Sequence, residues 1–259
     1  MLTSSFIILE KEFGQDQQDY SRSDLKAFYE SAGVHGYAKI PRLEVAMSML
    51  RGIRAERMLD LGCGDGSITR SIGSIVSAQE LFGVDISREA VAKALSQDVK
   101  AVELDLNHER LPFDDEYFDL VVALELIEHL LDPDALVEVM KRVVGSSGTI
   151  LLSTPNLANW MNRVMLLLGY QPWGTEVSTR IGSLGKAFAG QKDPVGHLRL
   201  FTLRGFKDFS TFHGCYIKRA QGAAFLQHGT LGLLDSIISR RLSLAPVLVF
   251  CLGRSDILA

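Results

Sequence analysis

The chain is poor in the features that would set it apart from an ordinary globular protein. It has three cysteines among 259 residues, Cys63, Cys215 and Cys251, an odd number with no Cys-x-x-Cys pair. That excludes a disulfide framework and a zinc knuckle and reads as an intracellular, cytoplasmic chain. No run reaches the ~18 apolar residues that span a bilayer; the nearest, residues 242–253, is interrupted by Ser243 and Pro246. The first twelve residues lack a basic lead, and the apolar stretch at 6–9 is too short for a secretory signal. There is no internal repeat and no excess of basic charge. Lys and Arg number 27 against 31 Asp and Glu, a net charge of −4, which argues against a broad nucleic-acid-binding face. What remains is 47% hydrophobic and 22% charged, with mean hydropathy +0.13, slightly greasy for a globular chain. At about 150 residues per domain the length allows one large domain or two small ones.

Hydrophobic spacing organises the chain. Polar residues at 15–19 mark an irregular lead-in, and Ile40, Leu43, Met47 and Leu50 then recur at helical spacing. Residues 1–50 are therefore expected to form an N-terminal lead and helical cap. From Arg57 the pattern alternates. Short apolar strands are predicted at 58–61, 81–84, 99–106, 118–124 and 149–153, with helical periodicity between them. Ser87 and the pair Asp132-Pro133 stand where helix caps belong. Five strand–helix alternations imply a parallel sheet with right-handed crossovers and helices on both faces. Residues 156–168 read as a helix, Thr202 is expected to cap another at 203–212, and 216–225 and 247–253 read as two closing strands. Residues 51–259 are thus one domain, with an inserted apolar lid at about 157–200.

The most informative stretch is Leu59-Asp60-Leu61-Gly62-Cys63-Gly64-Asp65-Gly66, between a strand and a helix. Glycine lets backbone pass close to a ligand because it has no Cβ. A dinucleotide fingerprint would need a third glycine at position 67, which is Ser67. Asp85 ends the second strand, where a carboxylate can accept bonds from both ribose hydroxyls. Asp105 ends the third, placed to meet an adenine amino group. Two carboxylates on one rim suit a nucleoside without a pyrophosphate, which they would repel.

With Leu111-Pro112-Phe113-Asp114-Asp115-Glu116-Tyr117-Phe118-Asp119-Leu120-Val121, these motifs resemble the class I S-adenosylmethionine-dependent methyltransferases over about residues 57–156. The resemblance implies an α/β, Rossmann-like, seven-stranded, mostly parallel sheet of order 3-2-1-4-5-7-6, with the last strand antiparallel. It implies S-adenosyl-L-methionine as cofactor. Asp60, Gly62 and Gly64 would line its methionine end, Asp85 would hold the ribose and Ile86 would pack on the adenine. Asp105 and Leu106 would bracket the adenine's other edge, and Glu125 would face the methionine moiety. Cys63 reads as a small filler.

For the methyl acceptor, the candidates lie in Glu125-Leu126-Ile127-Glu128-His129-Leu130 and at His197. On a helical turn, positions 125, 128 and 129 would share one face. Glu-x-x-Glu-His with a later histidine resembles the ubiquinone-pathway O-methyltransferases and the small-RNA 3′-end 2′-O-methyltransferases, where this set holds a divalent cation. The other reading makes His129 or His197 a metal-free base. His35, His108, His213 and His228 read as surface or packing residues. An Asn-Pro-Pro-Tyr tetrad after the fourth strand and a catalytic Pro-Cys are both absent. The elimination leaves O-methylation of a small or lipid-linked hydroxyl. A silent cofactor-binding relative, 2′-O-methylation of an RNA end and a nicotinamide oxidoreductase stand as alternatives. The inserted Trp160, Met161, Val164, Met165, Leu167, Leu168, Tyr170 and Trp173 suit a lid over a hydrophobic acceptor, an interfacial helix at a membrane, or packing on the sheet edge. Residues 231–238, followed by Arg240-Arg241, read as a second membrane-facing helix or as a connector beneath the last strand.

Overall fold

A computed structural model describes residues 41–187, 193–226 and 228–255. The expected lead-in and His35 lie outside them. The helical part of the expected cap is α1 (Pro41–Met49), which lies against the two closing strands. The order then runs β1 (Arg57–Leu61), α2 (Ser67–Val76), β2 (Glu80–Asp85), α3 (Arg88–Leu95), β3 (Lys100–Glu103) and β4 (Phe118–Leu124). It continues with α4 (Pro133–Val143), β5 (Val144–Pro155), α5 (Trp160–Leu167), α6 (Leu203–Phe212), β6 (Cys215–Ala223), α7 (Gly229–Ile238) and β7 (Val247–Arg254). The sheet order is 3-2-1-4-5-7-6, with β7 antiparallel to both neighbours and β1–β5 parallel, as the motifs implied. Among the described residues no helix is long and apolar enough to cross a membrane.

The central strands are apolar on both faces because helices cover both. Leu59, Leu61, Val121, Ala123, Ile150 and Leu152 point into one core with Met140 of α4 and Phe206 of α6. The alternate residues Met58, Leu120, Val122 and Leu151 point into the other, with Met49 of α1 and Ile72 and Val76 of α2. Ser87, Asp132 and Thr202 each cap a helix by accepting a backbone N–H three residues on.

Three segments differ from the sequence expectation. β3 is shorter, ending at Glu103 because residues 105–109 fold into a turn. β5 is longer, reaching back to Val144 across a register shift opposite Phe118 and Leu120. Helix α5 starts at Trp160 rather than near 156, because the side chains before it are otherwise engaged. Asn156 donates to the carbonyls of Ser243 and Ala245 (3.3 and 2.9 Å), pinning the end of β5 to the approach of β7. Asn159 caps the helix through Asn162 N–H, and Asn162 in turn holds both backbone groups of Trp173. All three asparagines are buried, so the insertion is moored by amides and not by apolar packing.

Asn156→Ala would strand the buried carbonyl of Ala245 that the amide now satisfies, at a cost of roughly 1–3 kcal/mol. Thermal unfolding should show Tm lowered by about 3–9 °C. A drop no larger than that of the exposed control Ser48→Ala would refute the mooring role.

Candidate active site

β1 pairs with β2 on one side and β4 on the other, so the chain reverses direction across the sheet at β1 and opens a crevice at its C-terminal end. The glycine loop lines this crevice. Gly64 adopts φ +54 and nothing lies within 4 Å of where its side chain would start, so the loop leaves open space there. Asp85 ties the loop to β2: its Oδ2 accepts Gly64 N–H and its Oδ1 accepts Ser87 N–H, both at 2.9 Å. Burial raises its pKa, and these backbone donors oppose the rise. Asp60, also buried, accepts from Thr69 Oγ1 at 2.6 Å. Burial pushes it up to about 7, with Thr69 opposing and Asp85 adding to the rise.

Cys63 fills the space under the loop. Its Sγ stands 2.6 Å from where a side chain on Gly83 would begin, and burial raises its pKa, the wrong direction for a nucleophile. Ile86 and Leu106 are half-buried at the ends of the neighbouring strands. Asp105 is 1% exposed and shapes its own turn, accepting from Asn107 N–H at 2.9 Å and meeting His108 Nδ1 at 3.1 Å. His213 is buried where α6 ends, between Asp134 and Glu138 of α4 at 2.8 Å each.

The second half of the site follows β4, and there the expected helical turn is not continuous. Glu125 sits in the left-handed region at φ 51, and Ile127–His129 form a separate 3₁₀ turn. The acids therefore part. Glu125 turns to Ser153, whose Oγ donates to Oε1 at 2.8 Å, and to Arg42, whose Nε lies 4.0 Å from Oε2. Burial raises its pKa, while Arg42 and Ser153 oppose the rise. Glu128 is fully buried; Oε2 accepts from Thr154 Oγ1 at 3.1 Å, and Oε1 has no hydrogen-bond partner among the described residues. Burial first, and then the nearby Glu125, hold it well above the usual carboxylate range.

His197 arrives on the insertion. Leu198 and Arg199 N–H both donate to the carbonyl of Glu128 (2.7 and 3.0 Å), and Glu176 accepts from Val195 and Gly196 N–H (2.6 and 3.1 Å). The rings of His129 and His197 then stand 4.8 Å apart. Each Nδ1 faces a carbonyl, Gly196 O at 3.2 Å and Gly174 O at 2.9 Å. A carbonyl only accepts, so Nδ1 carries the proton in both rings and Nε2 the lone pair. Burial, then His197, lowers His129 to about 4; burial also lowers His197. Both imidazoles are neutral near pH 7. One donor atom each from Glu128, His129 and His197 lie within 4.8 Å of one another, a set that could hold a metal ion and does not include Glu125. Sequence reasoning missed Arg42 and Glu176, and nothing in their neighbourhoods signals a role.

Residues 59–152 match the model of a methyltransferase domain. The ubiquinone biosynthesis O-methyltransferase of Alkalilimnicola ehrlichii is 35% identical over 120 residues, 44% of this chain and 48% of that protein. A probable S-adenosylmethionine-dependent methyltransferase of Mycobacterium tuberculosis is 34% identical over 102 residues, 39% of this chain and 36% of that one. The chain thus spans about half, or less, of these relatives' length. Among solved structures, an S-adenosylmethionine-dependent methyltransferase from Mesorhizobium loti superposes with TM-score 0.58 at 17% identity, covering 85% of this chain and 100% of that one. A cyclase superposes with TM-score 0.57 at 16% identity, covering 91% and 97%. Likeness at such identity shows the fold alone.

The raised pKa of Asp60 gives a sign to its effect on stability. The native state keeps a proton that the unfolded chain releases near 3.8, so the stabilisation is complete below pH 3.8 and lost as pH rises through about 7. Asp60→Asn keeps an acceptor for Thr69 and removes the titration. Denaturant titrations should show the variant gaining on the wild type from pH 4 to 7 and more stable at pH 8; parallel profiles would contradict the assignment.

Proposed function

On the premise that residues 59–152 match a methyltransferase domain, we propose that this chain is a class I S-adenosylmethionine-dependent methyltransferase that transfers the cofactor's methyl group to a hydroxyl of a small or lipid-linked acceptor. The observation that carries this reading is the His129–His197 pair, two neutral imidazoles with ring centres 4.8 Å apart and each Nδ1 turned to a backbone carbonyl, which leaves Nε2 as the basic nitrogen of each ring. Asp60, Gly62 and Gly64 line the methionine end of the cofactor, and Glu125, with Arg42 beside it, faces the amino-acid group. Asp85 takes the ribose, Ile86 packs on the adenine, and Asp105 and Leu106 bracket its other edge. The open space over Gly64, the buried carboxylate of Asp60 and the half-buried one of Asp85 suit a cationic nucleoside; a pyrophosphate would meet like charge there.

S-adenosylmethionine, when bound, supplies a methyl group already activated on a positively charged sulfur. The protein's part is alignment and proton removal. The sulfur would keep the electron pair of the methyl–sulfur bond, so the donor would leave as a neutral thioether. The hydroxyl proton passes to Nε2 of His129 or His197, which burial holds unprotonated. Residues 157–187 and 193–200 act as the lid that brings His197 over the acceptor and narrows water access.

A second reading is favoured by Oε1 of Glu128, which has no hydrogen-bond partner among the described residues. A buried carboxylate oxygen facing His129 Nε2 at 3.9 Å, with His197 near, fits a divalent cation held by these three residues. Such an ion would lower the pKa of the acceptor hydroxyl.

S-adenosylhomocysteine should raise Tm by several degrees and Asp85→Ala should abolish the shift; no shift in the wild type would sink the reading. With labelled cofactor and a panel of hydroxyl acceptors, His129→Ala and His197→Ala should lose about a hundredfold in turnover while keeping the Tm shift. Binding without methylation of any acceptor, RNA ends included, would identify a silent relative. Loss of turnover on chelation, restored by a divalent cation, supports the three-residue ion site; indifference to chelator removes it.

A further inference from the structure

Helices α5 and α7 are built inside out. In α5 the buried residue is Asn162, while Val164, Leu166 and Leu167 are exposed, Leu167 to 86%; Leu168, Tyr170 and Trp173 continue the exposure beyond the helix. In α7 the buried residues are Gly232 and Asp235, while Leu231, Leu233, Leu234 and Ile237 are 44–65% exposed. Polar groups bind these helices together. Trp160 Nε1 donates to Asp235 Oδ1 at 2.7 Å, and Asp235 Oδ2 accepts from Phe225 and Leu226 N–H at 2.8 and 2.9 Å. Trp173 and Phe225 meet edge to face. A soluble helix turns its apolar side inward; here the hydrogen-bonding groups face inward and the leucines outward.

Charge accompanies this exposure. Residues 157–245 carry eleven Lys and Arg against four Asp and Glu, while the remainder carries 16 against 27. Arg240 and Arg241, both exposed, directly follow α7. A second copy of this basic region would meet like charge across an isologous interface. An anionic surface with an apolar interior satisfies both features, leucines entering the acyl boundary and arginines meeting headgroups. We propose that the adjacent helices α5 and α7 dock the protein on an anionic phospholipid bilayer. This surface stands on exposure and charge and does not depend on the methyl-transfer reading.

The test is vesicle flotation of the full chain. Phosphatidylcholine vesicles containing phosphatidylglycerol should float the protein at low salt, with about tenfold weaker binding on pure phosphatidylcholine or at high salt. The double variant Leu167→Glu/Leu233→Glu and the charge variant Arg240→Glu/Arg241→Glu should each lose about tenfold or more. Both pairs are exposed, so Tm and far-ultraviolet circular dichroism should stay as in the wild type. Unchanged flotation of the leucine variant, or no flotation of the wild type, would overturn the proposal. A wild-type dimer that the leucine variant converts to monomer, without vesicle binding, would assign the face to a second copy instead.

Discussion

Much of the candidate site depends on one acceptor, the backbone carbonyl of Glu128. It receives two N–H groups from the insertion, those of Leu198 and Arg199. That contact fastens a long excursion of chain to the turn after β4 and delivers His197 to His129. Glu176 stiffens the same approach by holding the two preceding N–H groups. Side chains on this excursion contribute little apolar burial, so its order rests on satisfied amides. A buried N–H or C=O left unpaired costs more than a typical hydrogen bond returns, which makes such a mooring specific to one register.

The electrostatics of the crevice have a consistent sign. Burial raises the pKa of Asp60, Asp85, Glu125 and Glu128, and it lowers that of His129 and His197. Every group is thus biased toward its neutral form, and Arg42 is the cation placed near Glu125. A ligand that brings positive charge would offset the desolvation of the acids and draw their ionised forms back. A ligand that brings negative charge would find little to meet it.

How much of this was legible in the sequence follows from how local each interaction is. Helix caps at Ser87, Asp132 and Thr202 bond within three residues and were readable from residue type alone. The glycine loop and the buried strands were readable because each is a pattern of neighbouring residues. Arg42 was not, since it meets Glu125 across the fold from another helix. Glu128 was singled out, but the turn that carries it is split by the left-handed Glu125, so a helical wheel misplaced Glu125 relative to the histidines. The greasy insertion was conspicuous as composition. Which way its leucines face was not, because periodicity marks an apolar side without saying what covers it. That decision lies with Asn162 and Asp235, whose partners are distant in sequence.

Glu125 itself carries a broader consequence. Its left-handed backbone is fixed by its N–H, held by the carbonyl and the hydroxyl of Ser153 at 3.1 and 3.0 Å. For a residue with a side chain that conformation costs about 1–2 kcal/mol, a cost glycine escapes. Selection for stability alone would therefore drift toward glycine here and erase the carboxylate. The position is one where robustness and chemistry pull in opposite directions, and a stabilised version of this protein chosen by heat resistance would tend to surrender its rim acid first.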